Sequence, residues 1–151
     1  MTRWEAFELI RRARNEFDAA RFALTHVSSE LNRSPELYRK AERAKVTVSE
    51  LKRCSNNIQI TFIIRLFSEF EAILRDYWLE GMQRVSEPNM QRLMDWIASQ
   101  CNMDAPDLAI AHQMRDYRNK VIHNKPGALI FDLPATSKGL GMYLRWLPEE
   151  G

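Results

Sequence analysis

The chain is poor in residues that break helices. Five glycines and six prolines are spread over 151 residues, and most of the prolines fall where helices would begin or end, so the sequence reads as all-helical. There are only two cysteines, Cys54 and Cys101, far apart and without motif spacing. That argues against a disulfide framework and suits free thiols in a reducing cytosol. No long uncharged apolar run is present. The most hydrophobic stretch, Ile58 to Leu79, carries Arg65, Glu69, Glu71, Arg75 and Asp76, too much charge for a membrane span. The opening Met1-Thr2-Arg3-Trp4-Glu5 meets charge at once and has no apolar signal core, so a cytoplasmic location is expected. The sequence lacks a Gly-rich phosphate loop, a Gly-x-Ser-x-Gly elbow and any zinc-site spacing of His, Cys, Asp or Glu, so no metal or other cofactor is expected. A large charge of one sign is missing too. The formal net charge of +2 neither demands nor excludes a nucleic-acid partner, so any basic surface must come from local clustering.

What is present is a globular chain with 45% apolar residues, long enough for one domain spanning residues 1–151. Ile10, Ala13, Phe17, Ala20, Leu24, Val27 and Leu31 step by threes and fours, which predicts a first helix from about Thr2 to Leu31. Ser34 can cap a second helix with Pro35 at its first position. The stretch from Glu36 to about Cys54 reads as a more exposed helix, continuous with the next one or separated from it by a break or kink at Ser55-Asn56-Asn57. Ile60, Ile63, Phe67, Phe70, Leu74 and Tyr77, with Phe62, Leu66 and Trp78 beside them, predict a central helix that is apolar on more than one side. A helix opening at Glu87-Pro88 should bury Met90, Leu93, Met94, Trp96 and Ile97. After a loop from Asn102 to Pro106, a helix over Asp107 to His123 is stopped by Asn124-Lys125-Pro126-Gly127. Ala128 to Leu133 is extended or irregular, and a last helix over Pro134 to Leu147, weakened by Gly139 and Gly141, should face Leu140, Tyr143, Leu144 and Leu147 inward. Together these imply an all-α antiparallel bundle, four main helices plus a short C-terminal one.

The stretch richest in chemistry is Arg115-Asp116-Tyr117-Arg118-Asn119-Lys120-Val121-Ile122-His123. A guanidinium can hold a phosphate and an imidazole can move a proton near neutral pH, and phosphodiester cleavage uses both. Ile110, Met114, Tyr117 and Val121 fall on one helix face and should pack on the bundle. His112, Arg115, Asp116, Asn119 and His123 fall on the other face, and Arg118 sits at the border. Arg118 and His123 are five apart and point about 140° away from each other on a straight helix, so a bend, arginine's reach or a second subunit must bring them to one phosphate. The alternative is a solvated face ending in a histidine that suits the helix dipole. Tyr117 is a core residue or, alternatively, a stacking surface.

Arg118-Asn119-Lys120-Val121-Ile122-His123 resembles the Arg-x(4–6)-His signature of the HEPN superfamily, and Leu66-Phe67-Ser68-Glu69-Phe70-Glu71-Ala72-Ile73-Leu74-Arg75 resembles the central helix of such domains, where an acidic residue often faces the motif. The resemblance implies a HEPN-like bundle and a metal-independent endoribonuclease, the toxin or effector of a toxin–antitoxin or antiviral defence system. It implies His123 as general acid/base, Arg118 as holder of the scissile phosphate, and Asn119 as a phosphate ligand or the residue that orients His123. Glu71 would support Arg118, or alternatively form only a structural ion pair. Arg115, Lys120 and Lys125 would track the RNA backbone, or alternatively be ordinary surface charge. The implied partners are RNA, a second copy placing both motifs in one inter-subunit cleft, and an antitoxin protein. Some members of the superfamily are inactive, so a non-enzymatic module binding RNA, a nucleotide or a protein is the competing expectation.

Overall fold

The computed structural model describes residues 1–82, 88–123 and 131–149. These residues form α1 (Arg3–Glu30), α2 (Pro35–Arg43), α3 (Val48–Met82), α4 (Met90–Gln100), α5 (Ala105–Ile122) and α6 (Leu133–Leu144), with no strand among them. The fold is an all-α helical bundle.

α1 starts where the sequence supplies a reciprocal cap. The Thr2 hydroxyl accepts from the Glu5 amide at 3.2 Å, and the Thr2 amide donates to the Glu5 carboxylate at 2.7 Å. The predicted stripe buries only its N-terminal half against the bundle: Ile10, Ala13 and Phe17 are buried, as is Ala6 one turn before them. Further along, Ala20, Leu24 and Val27 are half-buried, and Leu31 is buried again. Ser34 caps α2 by accepting from the Leu37 amide at 3.2 Å, with Pro35 at the first helical position as expected.

The break between α2 and α3 lies at Ala44–Thr47, and Ser55-Asn56-Asn57 sits inside continuous helix. The cause is a second capping box. Thr47 accepts from the Glu50 amide at 3.2 Å, while Glu50 accepts from the Thr47 amide at 2.8 Å. Serine and asparagine inside a helix each cost less than about 0.7 kcal/mol relative to alanine, too little to interrupt it once started. The turn itself is a Schellman closure. Val46 N–H reaches Ala41 C=O at 2.9 Å, and Lys45 N–H reaches Glu42 C=O at 3.0 Å.

α3, 35 residues, is the axis of the molecule: α1, α4, α5 and α6 all pack on it. Ile63, Leu66, Phe67, Phe70, Ile73, Leu74 and Trp78 are buried, on more than one side of the helix as predicted. Ile60, placed in the predicted stripe, is 37% exposed because it lies beyond the end of the core. α4 begins at Met90, three residues after Glu87, because Asn89 caps it by accepting from the Arg92 amide at 3.0 Å. Leu93, Met94 and Ile97 are fully buried, and Trp96 meets Trp78 edge to face at 4.6 Å. α6 contributes Leu140, Tyr143 and Leu144 to the core, so it is an integral member of the bundle. It ends at Leu144, and a turn carries Leu147 back into the core. Tyr143 donates its hydroxyl to the Met94 carbonyl at 2.7 Å, and burial pushes that phenol above its usual range. No described helix is long and apolar enough to cross a membrane.

Candidate functional site

α5 carries the Arg-Asn-x-x-x-His motif, and its placement begins with packing. Ala111, Met114 and Tyr117 are buried. Met114 seats against Gly139 of α6, where an added Cβ would lie 2.2 Å from Met114 Cε and 2.9 Å from Ile110 Cγ2. That glycine lets α5 and α6 approach closely. Tyr117 is 7% exposed and meets the Phe131 ring edge to face at 5.5 Å, so it is a core residue and offers no stacking surface.

This anchoring leaves Arg118 at the edge of the core, as the helix geometry predicts. Its guanidinium lies over the buried Phe67 ring at 5.6 Å. Its Nη1 donates to Asn119 Oδ1 at 3.0 Å, and its Nη2 is 4.0 Å from Glu71 Oε2. Its Nε is buried without a partner among the described residues. Glu71 is half-buried, and its nearest cation is not Arg118 but Arg75, whose Nη2 and Nε donate to Oε1 at 2.7 and 3.1 Å. Arg75 in turn donates to the Pro88 carbonyl at 3.3 Å. Glu71 therefore holds Arg75 through one oxygen and faces Arg118 with the other.

Asn119 spends its side-chain oxygen on Arg118, and its link to His123 is through the backbone. His123 N–H donates to the Asn119 carbonyl at 3.1 Å. His123 is the C-cap of α5 and is exposed.

The residues expected to track RNA divide. Lys120 is exposed, and Lys125 lies outside the described residues. Arg115 is folded onto its neighbour Asp116, donating at 2.7 and 3.3 Å, with a side chain only 15% exposed, so it is poorly placed to meet a phosphate. His112, two turns upstream of Asn119 on the same helix, joins α5 to α4 through a 2.7 Å contact with Asp95.

Two residues of the site went unnoticed in the sequence. Arg75 follows Glu71 by four, a spacing that brings helix side chains together. Phe67 precedes Glu71 by four and so shares its face, but only the crossing of α5 over α3 brings it under Arg118. Among the described residues, no group of three or more His, Cys, Asp or Glu side chains could hold a metal ion. No protein-family model, curated protein or solved structure matches the chain.

Proposed function

We propose that this chain is a metal-independent endoribonuclease of the HEPN type. In the proposed reaction the ribose 2′-hydroxyl attacks the adjacent phosphate. A 2′,3′-cyclic phosphate forms and the 5′-oxygen leaves. His123 moves the proton, Arg118 holds the phosphate and stabilises its developing charge, and Asn119 and Glu71 hold Arg118. The observation that carries the reading is the state of Arg118. It is a guanidinium set on an aromatic ring, half-buried beside Glu71, with its Nε–H unsatisfied by any described residue. The side chain is nonetheless 28% exposed, with Nη2 4.0 Å from Glu71, so the guanidinium keeps donors for an incoming phosphate oxygen. His123, exposed at the end of the same helix, adds an accessible proton carrier.

Five positions on an ideal helix turn Arg118 and His123 about 140° apart, and of the ways to bring them to one phosphate this reading takes a second subunit. A two-fold dimer that brings two α5 ends to one cleft supplies the missing group from the opposite subunit. The toxin or effector role, with an antitoxin protein as partner, belongs to the same proposal.

The test is RNA cleavage by the wild type, Arg118→Ala and His123→Ala. Each substitution should lower the cleavage rate at least about 10²-fold, the usual contribution of a proton-transfer or charge-stabilising group. Full activity in His123→Ala would refute the assignment.

A second reading has its own support. Arg118 already has a ring beneath it, an amide beside it and a carboxylate nearby, which is how a structural arginine is held. On this reading the chain is a non-enzymatic module that binds RNA, a nucleotide or a protein. RNA binding with no turnover in any variant would favour it.

A further inference from the structure

The largest concentration of positive charge lies away from the motif. Residues 31–57 hold seven Lys or Arg against three Glu, whereas the rest of the chain holds fifteen against seventeen. This basic stretch is α2, the turn after it and the first turns of α3. It crowns an arm made by the second half of α1 and the first half of α3, and from Asp18 to Phe62 the only buried residue is Leu31. An arm with so little core of its own contributes little to the stability of the bundle, and its surface is free to meet something else.

Three observations say what. First, four of the seven cations are uncommitted. Lys40 pairs with Glu36 at 3.1 Å, Arg33 lies 3.9 Å from Glu30, and Arg53 sits near Glu50. Arg39, Arg43, Lys45 and Lys52 are all exposed and have no carboxylate within 4.0 Å among the described residues. Arg39 and Arg43 are one helical turn apart, about 6 Å, close enough to hold neighbouring phosphates of one strand.

Second, the apex of the turn is a lysine where a glycine is expected. Lys45 occupies the left-handed position of the Schellman closure with φ 57°. The equivalent position after α4 carries Asn102 at φ 50°, a residue that tolerates this backbone. A lysine there is strained, and strain kept at an exposed turn points to use of the side chain.

Third, an exposed ring stands beside a cleft. Tyr38 is 51% exposed and lines a cavity of about 340 Å³ with Leu31, Ala41, Lys45, Val46 and Val48, which Glu42 also borders. A largely apolar cavity with a ring and Lys45 in its lining, on a basic element, suits a nucleobase joined to its phosphates.

We propose that the arm tip is a second RNA-binding surface that takes single-stranded RNA, with Arg39, Arg43, Lys45 and Lys52 on phosphates and Tyr38 under a base. The inference rests on the RNA reading above and extends it to a surface that performs no chemistry. The arm captures the strand and the end of α5 cuts it.

The experiment is fluorescence anisotropy with a 2′-O-methylated oligouridine of about twenty nucleotides, which lacks the attacking hydroxyl, across 0.05–0.2 M salt. Four variants accompany the wild type. Replacing Arg39, Arg43, Lys45 and Lys52 together with glutamine should weaken binding at least about tenfold at 0.1 M salt. It should also reduce the salt slope by up to about 3, at roughly 0.7 per phosphate contact on single strands. Tyr38→Ala should weaken binding about tenfold, within the range of one lost base stack. Lys45→Gly separates function from folding, because it should raise the melting temperature while weakening binding severalfold. Lys120→Gln, which removes an exposed charge beside the motif, should weaken binding less than the quadruple change. Wild-type affinity and salt slope in the quadruple variant overturn the proposal. So does tighter binding of a duplex than of the single strand, or binding to phosphatidylserine vesicles without binding to oligouridine. Cleavage of unmodified RNA, measured separately, distinguishes the two ideas. Binding lost in the arm variant with no cleavage by any protein sustains the arm and sinks the nuclease. Binding unchanged in the arm variant with cleavage intact does the reverse.

Discussion

Arg118 makes fewer bonds than its five donors allow. Phe67 holds its plane, Asn119 takes one N–H, and Glu71 stands at 4.0 Å, too far for a tight bidentate pair. Arg118→Lys keeps the charge but loses the fork and the flat contact with Phe67, so cleavage should fall by at least about tenfold with the melting temperature nearly unchanged. Paired measurement of rate and thermal unfolding checks this. Elsewhere, Tyr143→Phe removes the donor to the buried Met94 carbonyl and should cost about 1–3 kcal/mol by denaturant titration. The border position of Arg118 and the burial of Tyr117 were legible in the sequence because a helix fixes which side chains share a face. The partnership of Glu71 with Arg75 carries a local signal, the i,i+4 spacing, which the motif resemblance passes over by giving Glu71 to Arg118. The ring under Arg118 was not legible, because no local pattern encodes where two helices cross.

At the scale of elements, the two glycines of α6 behave oppositely. Gly139→Ala drives a methyl into Met114 and the stiff Ile110, and should destabilise the protein by about 1–3 kcal/mol and loosen α5 with its motif. At Gly141 the nearest atom to an added Cβ is Phe7 Cε1 at 3.7 Å, so Gly141→Ala should stabilise by up to about 1 kcal/mol through helix propensity. Thermal unfolding of the pair decides the matter. The sequence shows both glycines as equal weaknesses, since it does not reveal that one of them is a contact point. The capping boxes carry a pH signature. Hydrogen bonds from Thr47 hold the Glu50 carboxyl below its ordinary value of 4.5, and those from Thr2 do the same for Glu5. A lowered carboxyl pKa stabilises the folded helix fully above the unfolded value and loses that contribution as pH falls through the folded one. Helix content should therefore decline below about pH 4.5, and Glu50→Gln should flatten the part that belongs to α3, as circular dichroism would record. The Thr47-x-x-Glu50 signature lies in plain view in the sequence. It outweighs the Ser-Asn-Asn stretch because a cap satisfies otherwise unpaired amides, whereas those residues carry only a small propensity penalty.

At the scale of the whole molecule, a compact end differs from an extended end in how much it buries. The bundle of α1, α3, α4, α5 and α6 fixes Arg118 against α3, while the arm stands apart with its charge uncovered. The all-α class was readable from periodicity and the scarcity of breakers. The exposure of residues 36–54 was readable too, but that the second half of α1 shares it was not, because Ala20, Leu24 and Val27 continue the α1 stripe without a change of pattern, and where the core stops depends on partners that are distant in sequence. If the proposed site is shared between two copies, Arg118→Ala and His123→Ala should complement each other. Mixed after separate purification, the two inactive proteins should recover about a quarter of the wild-type rate, the share of intact sites expected from statistical exchange in a two-fold dimer.

The most direct test of the central claim reads the product ends. Labelled RNA is incubated with the wild type and with His123→Ala in EDTA. The proposed mechanism predicts 2′,3′-cyclic phosphate and 5′-hydroxyl ends from the wild type alone. No cleavage by wild-type dimer over several RNA substrates, or the same ends from His123→Ala, would contradict it.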